Sequence, residues 1–374
     1  MPPPRLLLMS ADQAQQHAAS AASSTLGASL TLEPTLAGAI TALLRRDTIF
    51  THVLAPATLP ESDIDTLAAM VDEVTPTLTR LLLLGGQTDH GPTEIAVPHP
   101  DAAGIAEAVR HTSRPFPPPP PPLTGEDVRH ALHAGSLRMR FQPVVDAHTL
   151  QPLGLESLAR LHHPTHGILR PADFMPAAVA SGQERALTAI AAARALQELR
   201  PQPGLQGLRF AINTPLTTLL QAHAAARAGE LCAVAGIHPS RVVMEAIETL
   251  DQPDLPALGR ALELWRRAGF HITIDDAGPP LPHWRAMLDL PFSGIKLDAS
   301  LAANTPPAIA MAADIISSAR QKGLYVVAEG IESAESAARL RDMGAHALQG
   351  FHISRPLPAR AVPIWLEGRT NVLF

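Results

Sequence analysis

The sequence predicts an α/β protein of two units. A doubly wound α/β domain occupies residues 1–113, and a TIM-type (β/α)8 barrel occupies residues 124–374. Three observations predict this. Short apolar runs alternate with amphipathic stretches, the pattern of parallel strands joined by helical crossovers. Eight strand-like runs follow residue 124, the strand count of a closed barrel. Between the two parts, within a linker at 114–123, stand six consecutive prolines, Pro117–Pro122. Proline fixes φ and lacks an N–H, so this run reads as a polyproline II spacer roughly 19 Å long.

Composition narrows the function. Hydrophobic residues make up 46% of the 374, enough to fill two cores. The net charge is −6, without the basic excess of a general nucleic-acid binder, so no DNA partner is expected. One cysteine, Cys232, excludes an intramolecular disulfide and a cysteine zinc cage. The longest early apolar run, Leu6–Met9, is too short for a signal peptide or a membrane span, and a cytoplasmic location is expected.

In the first unit Arg5–Ser10, Ser29–Glu33, Thr51–Ala55, Arg80–Leu84 and Glu94–Val97 read as strands, and Leu36–Arg46 and Ala102–Arg110 as helices. This arrangement resembles the response-regulator receiver domain, but the chemistry of that family is missing. The first strand runs into Ser10-Ala11-Asp12 where an acidic cluster is needed. The third ends at Ala55-Pro56 without the phospho-accepting aspartate, and the usual lysine position reads Pro98-His99-Pro100. Without a nucleophile there is no aspartyl phosphate. The resemblance implies a degenerate, pseudo-receiver domain that engages a protein partner or a second copy. Asp12 reads as a helix cap.

In the second unit the strand-like runs are Arg140–Val145, Gly154–Leu161, Arg209–Asn213, Val242–Glu248, His271–Asp276, Gly294–Asp298, Tyr325–Gly330 and Ala347–Gly350. Buried strands should be apolar, yet these carry Glu156, Asn213, Glu245, Glu248, Asp275, Asp276, Lys296, Asp298, Glu329 and Gln349, with Glu332 just beyond. Strand C-termini of a barrel converge on one face, where active sites sit. So many carboxylates in one mouth repel unless cations bind them, and all-oxygen ligands favour Mg²⁺, Mn²⁺ or Ca²⁺. The residues alone point to a one- or two-metal hydrolase or lyase.

Motifs in order then resemble the EAL-domain family of cyclic di-GMP phosphodiesterases over roughly residues 125–368. They are Phe141-Gln142-Pro143, Glu156-Ser157-Leu158-Ala159-Arg160, Asn213, Glu245-Ala246-Ile247-Glu248, Asp275-Asp276, Ile295-Lys296-Leu297-Asp298, Ala328-Glu329-Gly330-Ile331-Glu332, Gln349-Gly350-Phe351 and Ser354-Arg355-Pro356. The resemblance implies hydrolysis of cyclic di-GMP to linear pGpG with two Mg²⁺ or Mn²⁺ ions. Glu156, Asn213, Glu245 and Asp275 would hold one ion with Glu329 nearby, and Asp275 and Asp276 a second. Lys296, Glu329 and Glu156 would carry catalysis. Lys296 is one of two lysines beside 27 arginines, and it would orient the attacking water or stabilise the phosphorane. Arg160, Gln142, Gln349, Asp298 and Glu332 would face the substrate, and Glu248 would support the adjoining loop. A homodimer through the barrel is also implied.

The family follows its Asp-Asp pair with a glycine- and hydroxyl-rich loop. Here the loop reads Ala277-Gly278-Pro279-Pro280-Leu281-Pro282-His283, and Ile247 replaces a threonine. Three prolines remove donors and stiffen the segment. An inactive or weak module that acts as a cyclic di-GMP receptor or protein-interaction module is therefore the alternative. An enolate-forming lyase on the same barrel is the third reading.

Overall fold

The computed structural model describes residues 3–44, 50–74, 79–87, 94–112, 123–163, 167–247, 254–279, 281 and 284–370. The proline run Pro117–Pro122 lies outside them. The described residues within Met1–Leu123, Leu161–Leu169 and Arg360–Phe374 form one compact unit. Those within Thr124–Arg160 and Arg170–Ala359 form another.

The first unit contains β1 (Arg5–Met9), α1 (Gln13–Leu26), β2 (Ser29–Glu33), α2 (Leu36–Leu44), β3 (His52–Pro56), α3 (Glu61–Val74), β4 (Arg80–Leu84), β5 (Glu94–Val97) and α4 (Ala102–Thr112). Its sheet is all parallel, in the order β2-β1-β3-β4-β5. This is the expected doubly wound arrangement. Leu6–Leu8 and Leu81–Leu83 are fully buried, as parallel strands covered on both faces must be. Leu6, Leu8, Leu54 and Leu82 pack with Ala19 and Ala22 of α1 and Ile105 and Val109 of α4. Asp12 caps α1: its Oδ1 accepts from the Ala14 N–H at 2.7 Å.

The second unit opens with α5 (Gly125–His133), started by a reciprocal capping box between Thr124 and Asp127. Next come β6 (Leu137–Asp146) and β7 (Pro152–His163); the last residues of β7 and β8 (Gly167–Leu169), with which they pair, fall in the first unit. Then follow α6 (Pro171–Ala180), α7 (Glu184–Leu199), β9 (Arg209–Pro215), α8 (Leu216–Leu219), α9 (Ala224–Ala235), β10 (Val242–Ile247), α10 (Leu255–Arg267), β11 (His271–Ala277), α11 (Trp284–Met287) and β12 (Gly294–Leu297). The chain continues through α12 (Pro306–Gln321), β13 (Tyr325–Ala328), α13 (Ala334–Met343) and β14 (Ala347–Leu348) to α14 (Ala361–Thr370). That last helix belongs to the first unit, where it packs on α2 and Arg360 Nη2 lies 3.3 Å from Asp63 Oδ1.

The eight expected barrel strands all form. Pairing runs β6-β14-β13-β12-β11-β10-β9-β7, and β6 with β7 closes the ring. Seven strands are mutually parallel, while β6 runs antiparallel to β14. β6 leads into β7 through a five-residue turn rather than a helical crossover. The Asp146 carboxylate holds that turn by accepting from the His148 and Thr149 N–H groups at 2.9 and 2.8 Å. Trp265 of α10 is packed against the barrel, 2% exposed, and donates its indole N–H to Leu219 O at 3.1 Å. Cys232 of α9 is 1% exposed, and burial pushes its thiol up to about 11, as a packing residue rather than a nucleophile. No described helix is long and apolar enough to cross a membrane.

Candidate active site

Seven polar side chains meet at the C-terminal ends of adjacent barrel strands. Glu156 comes from β7, Asn213 from β9, Glu245 from β10, Asp275 and Asp276 from β11, Lys296 from β12, and Glu329 from the residue after β13. Register aligns them. Asn213 stands directly across from Glu245, and Glu156 lies opposite Ala211, two residues from Asn213 on the same face.

β11 carries an irregularity. Consecutive strand residues face opposite sides, so Asp275 and Asp276 should diverge. The pairing of β11 with β12 shifts between Ile274 and Ala277, and Asp276 takes φ +51. A left-handed non-glycine backbone is strained, and such strain collects at functional sites. Here it turns both carboxylates toward one place. One ligand oxygen each from Asp275, Asp276 and Glu329 lies within 4.8 Å of the others.

Lys296 sits among the acids. Its Nζ lies 2.5 Å from Glu329 Oε1, 2.9 Å from Glu245 Oε1, 3.1 Å from Asp275 Oδ1 and 3.5 Å from Glu156 Oε2. Lys296, Glu156, Glu245 and Asp275 are all buried. Burial alone would lower the lysine pKa, but Asp275, Glu156, Glu245 and Glu329 raise it well above the usual value.

One cation does not balance this many acids. Burial raises Glu245 well above the carboxylate range; Lys296 opposes this, and Glu156, Asp275 and Glu329 reinforce it. Burial likewise raises Asp275 against the pull of Lys296. Glu329 is pushed up to about 8 by burial, with Lys296 opposing and Asp275 and Glu156 adding. Asp276 is raised to about 6, first by burial and then by Asp275. Glu156 departs the other way. Burial would raise it, but Lys296, the Asn213 amide and the Gln349 amide together hold it below its ordinary value.

The donor set fits a hard divalent cation: five carboxylates and one amide, all offering oxygen. Glu245 Oε2 is buried with no hydrogen-bond partner, the kind of atom such an ion would satisfy. Asn213 Nδ2 donates to Glu156 Oε1 at 2.9 Å, which fixes the amide orientation.

The remaining expected residues divide. Gln349 Nε2 donates to Glu156 Oε2 at 2.5 Å and to Gln142 Oε1 at 3.3 Å. Gln142 Nε2 donates to Ser354 O at 3.1 Å. Both glutamines are buried, and both ends of the Gln142 amide are engaged inside the protein. Arg160 is buried, and its Nη1 donates to Ala159 O at 2.8 Å. Asp298 follows β12 and accepts from the Ser300 N–H at 3.0 Å, capping a 3-10 turn. Glu332 is exposed on the turn before α13. Glu248 lies outside the described residues. The backbone carbonyl of Ser354, which accepts from Gln142, has no residue-type signature in the sequence.

Glycine fixes the turn after Glu329. Gly330 has φ +64, and a Cβ there would meet Ala299 O at 2.7 Å and Ala299 Cα at 2.8 Å. In the loop after β11, Gly278 packs so closely that a Cβ would meet Asp298 Cβ at 3.1 Å and Leu301 Cδ1 at 3.2 Å. Leu281 is buried, while Pro280, Pro282 and His283 lie outside the described residues.

Known proteins carry the same frame. Cyclic di-GMP phosphodiesterase PA2567 of Pseudomonas aeruginosa is 32% identical over 231 residues, which are 61% of this chain and 39% of that relative. The PaMucR phosphodiesterase in its c-di-GMP complex matches with a TM-score of 0.58 and 28% identity, over 63% of this chain and 97% of that one. The Klebsiella pneumoniae BlrP1 manganese and cyclic di-GMP complex matches with a TM-score of 0.53 and 25% identity, over 60% of this chain and 57% of that one. The chain spans 39% and 30% of the lengths of the first two curated relatives. The family model for the EAL domain covers residues 125–356, from the capped start of α5 to the segment after β14, and through these residues the chain belongs to the EAL domain family.

Proposed function

We propose that the protein is a metal-dependent phosphodiesterase that hydrolyses cyclic di-GMP to linear pGpG. The observation that carries this reading is the convergence of Glu156, Asn213, Glu245, Asp275, Asp276 and Glu329 around one lysine at the barrel mouth. Glu156, Asn213, Glu245 and Asp275 would hold one Mg²⁺ or Mn²⁺, with Glu329 beside it, and Asp275 and Asp276 a second. When bound, the ions activate a water and offset charge on the phosphodiester. Glu156, already held low by Lys296 and by its amide neighbours, enters as an ionised ligand. Lys296 faces the developing negative charge as a compact cation. Arg160 provides a planar fork for a substrate phosphate. Gln142 and Gln349 act through Glu156 by fixing its carboxylate.

The second reading, a receptor that binds without turnover, is favoured by the proline-containing segment after Asp276. A mouth held about 1 Å too loosely loses about 100-fold in rate. The pseudo-receiver unit and a homodimer through the barrel belong to the proposal as interaction modules.

The test is chromatography of cyclic di-GMP incubated with the protein plus Mg²⁺, Mn²⁺ or chelator. Metal-dependent pGpG that disappears in Glu156→Ala supports the enzyme. Saturable nucleotide binding with no product under any condition supports the receptor and ends the enzyme reading.

A further inference from the structure

Lys296 faces four carboxylates with three N–H donors. Glu329, Glu245 and Asp275 lie within 3.1 Å of its Nζ, and Glu156 stands at 3.5 Å. Bulk solvent screens this group little, since the lysine is 2% exposed. Two of the oxygens that Lys296 reaches belong to residues of the Asp275–Asp276–Glu329 cluster, whose ligand atoms are close enough to share an ion. The ammonium and a divalent cation therefore draw on the same two acids.

We infer that Lys296 is a resident counter-ion that competes with divalent cations for Asp275 and Glu329. Without metal, its charge holds the buried acids together. With metal among these acids, Lys296 gives up its direct contacts with Asp275 and Glu329. Metal occupancy thereby sets where the lysine points. The residue type suits this task. A lysine has a flexible stem and a small head with rotatable donors, whereas an arginine fork is rigid and wide. The chain uses arginine almost everywhere else, with 27 arginines against two lysines. Two like charges sharing one set of acids in a dry pocket repel, so metal affinity is lowered by the presence of the lysine.

The inference shares with the proposed function only the premise that the cluster takes a divalent cation, and turnover is not its readout. With two lysines in the chain, lysine labelled with ¹³C at Cε gives two signals. Lys322 is half exposed and paired with Asp289, which makes it an internal control. The experiment titrates the full chain with Mg²⁺, follows both signals, and measures Mn²⁺ binding by calorimetry for the wild type and Lys296→Met. Expected is a saturable shift of the buried lysine with Lys322 still. In Lys296→Met, Mn²⁺ affinity should tighten about tenfold and melting in chelator should fall.

Calorimetric metal binding without movement of the Lys296 signal overturns the inference, as does equal or weaker Mn²⁺ affinity in the variant. So does absence of metal binding. Should Lys296→Met not fold, the wild-type titration decides alone. A shifted lysine without pGpG formation removes the enzyme reading and leaves the inference standing. Turnover with an unmoved lysine does the reverse.

Discussion

Asn213 on β9 donates its side-chain N–H to Glu156 on β7 at 2.9 Å, and thereby orients two expected metal ligands with one hydrogen bond. Asn213→Ala removes an amide oxygen and unfixes Glu156. Mn²⁺ affinity should drop about 10- to 100-fold, read by calorimetry, while the far-ultraviolet circular dichroism stays unchanged. An affinity within twofold of wild type would remove Asn213 from the ligand set.

Metal binding should depend steeply on pH. Glu329, at about 8, is mostly protonated in the metal-free protein at neutrality, and Asp276, at about 6, becomes so only as pH falls below 6; both must be ionised to ligate. Affinity therefore rises from pH 6 to pH 8. Metal-free stability changes in the opposite direction. The folded state holds Glu329 protonated above the pKa of the unfolded chain, so this contribution is whole below the ordinary value of 4.5 and is lost progressively as pH rises through about 8. Melting scans with and without Mg²⁺ should show a larger metal-induced rise at pH 8 than at pH 6. Equal increments would contradict the raised carboxyls.

Gln142 should behave as a positioning residue. Both ends of its amide are engaged, by Ser354 O and by Gln349. Gln142→Ala leaves a buried carbonyl unpaired and releases Gln349, costing about 1–3 kcal/mol of stability. On the enzyme reading, kcat should drop about tenfold with KM nearly constant. A rise in KM alone would make Gln142 a substrate contact.

Gly330→Ala should be severe. The new Cβ would meet backbone atoms of Ala299, and no rotamer relieves backbone. A loss of about 2–4 kcal/mol is expected in urea titration. A loss under about 1 kcal/mol would mean the turn beside Glu329 is freer than its φ indicates.

Ser157→Ala should be neutral or stabilising by up to about 1 kcal/mol, because Ser157 Oγ is buried without a hydrogen-bond partner. Clear destabilisation would point to a partner for that hydroxyl.

Much of this was legible in the residues. Parallel strands bury both faces, so Leu6–Leu8 and Leu81–Leu83 stand out as unbroken apolar runs. Acids at successive barrel strand ends stand out because strands otherwise exclude them. α1 left no apolar stripe to read, since it packs through Ala19, Ala22 and Ser23. The reversed direction of β6 was also hidden, because strand pattern is the same in either direction. The left-handed backbone at Asp276 depends on tertiary packing, and nothing in a pair of aspartates announces it. The hydrogen bonds of Gln142 to Ser354 O and Gln349 were equally hidden, because sequence names a side chain without showing what holds it.

The reversal of β6 has a mechanical consequence. An all-parallel barrel receives its chain at the base. Here β6 descends from the mouth, so the chain enters the barrel at the face where the carboxylates meet. The chain also leaves there, and Phe141 and Leu357 bind each other's backbone at 2.7 and 2.9 Å. Entry and exit are thus stitched together at the mouth, next to Gln142 and Ser354. Tension applied to the chain beyond Leu357 meets that stitch before it reaches the strands of the ring.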